Sequence, residues 1–142
     1  DEFMPDGYTK EEHKMINETK KILHDNNLKI SATCVRVPIY YCHSEVISVD
    51  FEDKINLNDI INVFKSASGI KLIENGLNEN YPTPSFVQGK DDVYIGRIRK
   101  DSSNDKGISF WIVSDNLRKG AALNAIQIMD SALKLGKIPK FR

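Results

Sequence analysis

The chain has 142 residues, with Lys and Arg balanced against Asp and Glu at 20 each, so no charge bias draws it to nucleic acid or an anionic membrane. Hydrophobic residues make up 40% of it, enough for one domain's core, and no apolar run nears the ~18–20 residues of a membrane span. Two cysteines, Cys34 and Cys42, suit a reducing compartment, and no signal-peptide pattern is seen, so the expectation is a cytoplasmic protein.

Asp6-Gly7 marks a turn, and Thr9 standing three residues before Glu12 forms a capping box that predicts a helix over about 10–23. Met15, Ile16, Thr19, Ile22 and Leu23 make its inward face. Glu11, Lys14, Glu18 and Lys21 make a polar stripe that, on sequence alone, reads as a solvated face. Asp25-Asn26-Asn27 closes the helix, and residues 28–38 and 42–51 follow as extended segments.

Within them the run 31–45 organises the chain. Val35, Val37, Ile39, Tyr40 and Tyr41 leave few polar residues, which predicts a buried or half-buried strand with Arg36 and His43 set into it. Charged groups there need partners or a solvated cleft. Strict alternation puts Arg36 and His43 on opposite faces, and Pro38, which cannot donate to a ladder, is where that parity can reset. A buried structural arginine and a satisfied histidine are the plain alternative.

Asn56 and Asp59 start a second helix that carries Leu57, Ile60, Ile61 and Phe64 inward and ends at Gly69. Residues 70–73 form a short strand, 75–84 a polar loop, and 93–99 a strand with Gly96 opposite the face of Arg97 and Arg99. A turn cluster over 101–107 precedes a strand over 108–113 containing Trp111. Ser114-Asp-Asn116 then caps a last helix over 117–135. Its apolar residues run most of the way round, so it calls for more protein than this chain offers.

Cys34, Cys42 and His43 are too few and too crowded for a closed zinc site, so no metal is expected. Cys42 beside His43 invites a thiol nucleophile, but neighbours on a strand point apart. No P-loop or dinucleotide fingerprint occurs. What remains is Glu11, Lys14, Arg36 and His43, the residue types that hold a small dianionic amino-acid derivative and move one proton. A guanidinium grips a carboxylate bidentately, an ammonium suits a phosphate, a carboxylate receives an amine, and an imidazole titrates near neutrality.

Thr33-Cys-Val-Arg-Val-Pro38 followed by His43-Ser-Glu45 resembles the second half of the aspartate-β-semialdehyde dehydrogenase family. Tyr8-Thr-Lys-Glu-Glu-His-Lys14, Asn17-Glu-Thr-Lys-Lys-Ile22, Tyr81-Pro-Thr-Pro84, Gly96-Arg-Ile-Arg99 and Ser114-Asp-Asn-Leu-Arg-Lys-Gly-Ala-Ala-Leu-Asn124 extend the resemblance in family order. The family's Gly-rich dinucleotide turn and catalytic-cysteine segment are not among these residues, and Asp1-Glu-Phe-Met-Pro5 reads as a mid-sequence start. The expectation is a C-terminal portion.

By this resemblance Arg36 binds the substrate α-carboxylate, His43 is the acid/base, Glu11 receives the substrate amine, Lys14 serves the phosphate site, and Asn116 contacts NADP. Neither Cys34 nor Cys42 matches the family nucleophile. The resemblance implies NADPH-dependent reduction of L-aspartyl 4-phosphate to L-aspartate 4-semialdehyde. The reverse direction consumes phosphate, and the product feeds lysine, threonine, methionine and diaminopimelate synthesis. It also implies a homodimer and an α+β fold, with a mixed, largely antiparallel sheet and helices on one face, similar to the C-terminal domain of glyceraldehyde-3-phosphate dehydrogenase. Residues 1–113 would belong to a catalytic and dimerisation domain, and 114–142 to a helix packing on an NADP-binding domain outside this chain. N-acetyl-glutamyl-phosphate reductase, an acyl-CoA reductase relative and a non-catalytic dimerisation module are the alternatives.

Overall fold

A computed structural model describes residues 2–73 and 81–137. Most of the polar loop expected over 75–84, with Gly76, and the end of the C-terminal segment lie outside the described residues. The chain divides into two compact units, Asp1–Pro38 and Ile39–Arg142.

The first unit is built on helix α1, Lys10–Leu23. Phe3 bridges Thr9 around a turn at Gly7, whose φ of +87° suits a residue without a Cβ. The expected capping box is present, with Thr9 and Glu12 satisfying each other's backbone N–H groups. The helix stops one residue earlier than the Asp25 cluster. His24 takes a left-handed φ of 54°, and the Asp25 N–H donates back to Lys20 O.

Two expectations for this unit are corrected. Residues 28–38 form no strand, and Val35 is 75% exposed. Pro38 supplies no N–H to a ladder, and the Cys34 N–H goes to the Glu12 carboxylate instead of a neighbouring strand. Of the face expected inward on α1, only Ile16 and Thr19 are half-buried, while Met15, Ile22 and Leu23 are exposed.

The second unit holds β1 (His43–Asp50), α2 (Leu57–Ser66), β2 (Ile70–Leu72), α3 (Pro84–Val87), β3 (Val93–Lys100), β4 (Gly107–Ser114) and α4 (Leu123–Lys134). The strands form one sheet in the order β1-β4-β3-β2, antiparallel except for the β2–β3 pair. This is the expected α+β architecture. One sheet face, with Ile95, Ile108 and Phe110 at its centre, is covered by Leu57, Ile60 and Phe64 of α2. Asn56 caps α2 by accepting the Asn58 N–H, as the sequence predicts.

On the opposite face Val113 packs with Cys42 and with Val87 of α3, a single turn that the sequence reading missed. Gly96 lies on this face, where an added Cβ would come 2.7 Å from Pro82 Cδ. That bare backbone lets the Tyr81–Pro82 chain approach closely, and Trp111 Nε1 donates to Pro82 O at 2.7 Å. Strict alternation fails just beyond it. A bulge opens between Gly96 and Arg99, Arg97 has φ +56°, and Arg99 pairs with Ser109, so Arg99 lands on the face of Gly96 rather than opposite it.

The expected helix over 117–135 is also broken. Ala121 has non-helical angles, splitting an irregular turn (Arg118–Ala122) from α4. Ile126, Ile128 and Met129 of α4 are more than half exposed, as its nearly all-round apolar pattern predicts for a helix lacking cover.

Candidate functional site

In the first unit, α1 places Glu11 and Lys14 one turn apart, where Lys14 Nζ donates to Glu11 Oε1 at 3.3 Å. Both remain about half exposed, so the pair is weak and opens readily to a ligand. Between them Glu12 is buried. Its Oε2 accepts the Thr9 N–H at 2.7 Å and its Oε1 the Cys34 N–H at 2.8 Å. The Thr9 amide first, and the Cys34 amide next, hold this carboxyl below its ordinary range. Glu12 therefore ties the start of Cys34-Val-Arg36 to the helix. Arg36 itself is exposed and lies in no regular element.

In the second unit, His43 is the first residue of β1 and is exposed, opposite Ser114 at the end of β4. Cys42 before it is buried in a left-handed conformation, φ 74°. Its N–H donates to Asn116 Oδ1 at 3.0 Å and its Sγ to Pro84 O at 3.4 Å. Burial, and then the charge of Asp115, push the Cys42 thiol up, which keeps it protonated and a poor nucleophile. Asn116 is half-buried, and its side-chain oxygen accepts from Cys42.

Asp115 fixes this corner from two sides, accepting the Gly89 N–H at 2.8 Å and the Leu117 N–H at 2.9 Å. The Gly89 amide, opposed by burial and aided by the amides of Leu117 and Arg118, holds its carboxyl below the ordinary aspartate range. A carboxylate with a depressed folded-state pKa stabilises the fold above its unfolded value and loses that contribution as pH falls through the folded one. Asp115→Ala is therefore expected to cost about 1.5–3 kcal/mol at pH 7. Denaturant melts repeated toward pH 3 should show the gap between the two proteins narrowing. A gap that stays constant with pH would contradict the role given to its charge.

The structure thus joins Glu11 to Lys14 within the first unit, and Asn116 to the residue preceding His43 within the second. Arg36 belongs to the first unit and His43 to the second. Sequence reasoning missed the second bond of Glu12, the double anchorage of Asp115 and the left-handed Cys42. The cap pattern at Ser114-Asp-Asn116 hinted at Asp115, but nothing in the sequence marks a cysteine for positive φ. Within the first unit Arg36 offers a guanidinium fork and Glu11 with Lys14 an ammonium–carboxylate pair, groups suited to anions and amines; within the second His43 offers an imidazole and Asn116 an amide.

The family described as "Semialdehyde dehydrogenase, dimerisation domain" matches residues 1–119. Among curated relatives, an aspartate-semialdehyde dehydrogenase of Aquifex aeolicus is 51% identical over 138 residues, covering 97% of this chain and 41% of its own length. One of Bacillus subtilis is 48% identical over 139 residues, covering 97% and 40%. The chain therefore spans about two fifths of these relatives. Among solved structures, aspartate semialdehyde dehydrogenase II of Vibrio cholerae, complexed with ASA, superposes with a TM-score of 0.87 at 42% identity, covering 94% of this chain and 39% of that one. A probable aspartate-semialdehyde dehydrogenase of Pseudomonas aeruginosa does so with a TM-score of 0.84 at 27% identity.

Proposed function

This chain belongs to the semialdehyde dehydrogenase dimerisation-domain family, and from that membership we propose that it is the C-terminal portion of an NADP-dependent aspartate-semialdehyde dehydrogenase. It supplies substrate binding and acid/base groups to an enzyme whose nucleophilic cysteine and most of whose cofactor site lie outside these residues. The observation that carries this reading is the contrast at residues 42 and 43. The imidazole is exposed, while the thiol beside it is buried and held protonated.

Arg36 takes the substrate α-carboxylate in its planar fork and Glu11 the α-amine, with Lys14 released from Glu11 to meet phosphate. His43 takes the proton from the attacking thiol and returns it as the acyl group is transferred. NADP, when bound, accepts hydride from the substrate carbon in the oxidative direction and returns it in biosynthesis. Asn116, whose oxygen already accepts from Cys42, would meet such a cofactor as a donor through Nδ2.

The enzyme works as a cytoplasmic homodimer in synthesis of the aspartate-derived amino acids. Residues 1–113 serve catalysis and dimerisation, and 114–142 dock on the NADP-binding domain. Exposed apolar side chains such as Val46 on the sheet and Ile128 on α4 are consistent with further covering surfaces.

The assignment is tested by Arg36→Lys in an enzyme of the relatives' full length. Losing the fork while keeping the charge is expected to raise KM for aspartate semialdehyde by about tenfold to a hundredfold, the worth of a charged hydrogen bond. An unchanged KM would remove Arg36 from the substrate carboxylate.

A further inference from the structure

The β1–β4 ladder ends at the His43–Ser114 pair, yet the pairing does not stop there. One residue before His43, the Cys42 N–H donates to Asn116 Oδ1, so a side-chain amide continues the ladder a step past its last backbone pair. Cys42 needs that hold. Its φ of 74° is a conformation that a residue with a Cβ rarely takes unless its surroundings impose it. Three contacts impose it: Asn116 on the N–H, Pro84 O on the thiol, and packing against Val87 and Val113. Asn116 is itself anchored through Asp115, which the amides of Gly89 and Leu117 grip.

We propose that Asn116 is a positioning residue for His43, its side-chain oxygen fixing the left-handed turn at Cys42 from which the His43 imidazole is presented. This rests on the acid/base reading of His43 and adds to it the group that sets where the imidazole stands. It gives Asn116 a task distinct from any contact with cofactor, because the two ends of its amide are different. The oxygen accepts from Cys42, and the nitrogen supplies the donors that a ligand can take.

That asymmetry supplies the test, made in the full-length enzyme. Asn116→Ala removes both ends, so beside a rise in KM for NADP from the lost nitrogen, misplacement of the imidazole is expected to lower kcat by about tenfold to a hundredfold. Asn116→Asp keeps an acceptor for the Cys42 N–H and loses the nitrogen donor, so it should share the rise in KM for NADP but lower kcat far less than Asn116→Ala does. Cys42→Gly, for which positive φ is unstrained, should restore part of the kcat lost in Asn116→Ala. Hydrogen exchange at the Cys42 amide should quicken about tenfold or more in Asn116→Ala but not in Asn116→Asp.

Should Asn116→Ala not fold, Asn116→Asp decides alone. A kcat lowered far less than in His43→Ala, with a slow Cys42 amide, supports positioning, and a loss as large as in His43→Ala overturns it. A raised KM for NADP with intact kcat in both variants also overturns it, since Asn116 would then act on the cofactor. His43→Ala run alongside keeps the two claims apart. If its kcat survives, the acid/base reading has failed, whereas its loss with an indifferent Asn116 refutes positioning alone.

Discussion

Replacing His43 with alanine in an enzyme of full length is expected to lower kcat by about two to four decades, the usual contribution of a placed acid/base group. KM for aspartate semialdehyde should move far less, because we assign carboxylate and amine binding to Arg36 and Glu11. The geometry behind this is local. His43 opens β1 at the outer end of the sheet, its ring exposed, and is carried by a turn held through Asn116, Pro84 and Asp115. His43→Gln keeps polarity but cannot take up and return a proton, so it should be nearly as impaired as alanine. A variant with intact kcat and only a raised KM would make His43 a binding residue and end the acid/base assignment.

Complete loss is the second expected result: the 142-residue chain by itself should not oxidise aspartate semialdehyde with NADP and phosphate. Acyl transfer of this kind needs a thiolate, and by the resemblance neither cysteine stands where the family's nucleophile does. Cys42 is 4% exposed, donates to Pro84 O, and is pushed toward the protonated form by burial and by Asp115. Cys34 is half-buried, its Sγ 3.4 Å from Met15 Sδ. The assay is a spectrophotometric one for NADPH formation by the purified chain. Turnover that disappears on Cys34→Ala or Cys42→Ala would show that this chain carries its own nucleophile.

The strongest local signals were legible in the sequence. Thr9 with Glu12 and Asn56 before Leu57 placed two helix starts, because a cap is a short-range contact between residues already adjacent. The strands around Trp111 and Val93 followed from β-branched runs of the right length. Failures came where distant groups decide. Residues 28–38 look like a strand, but the Cys34 amide is claimed by Glu12 from 22 positions away. The bulge at Gly96–Arg99 resets alternation, so Arg99 changes face without any local mark. Pro38 was read as the place for such a reset, whereas it lies in a stretch with no ladder. The residues Glu11, Lys14, Arg36, His43 and Asn116 were visible as chemistry-bearing types. Their roles came from resemblance, and the corner that holds His43 came only from coordinates.

The central claim is that these residues supply the substrate grip and the proton-transfer group of an aspartate-semialdehyde dehydrogenase, but not its nucleophile. It is tested most directly by a chimera in which this chain replaces the matching 138 residues of the Aquifex aeolicus relative. The measurement is phosphate-dependent oxidation of aspartate semialdehyde, made with and without His43→Ala. The account predicts turnover in the chimera and its loss, by about two to four decades in kcat, in the variant. A folded chimera whose turnover is untouched by His43→Ala would contradict it.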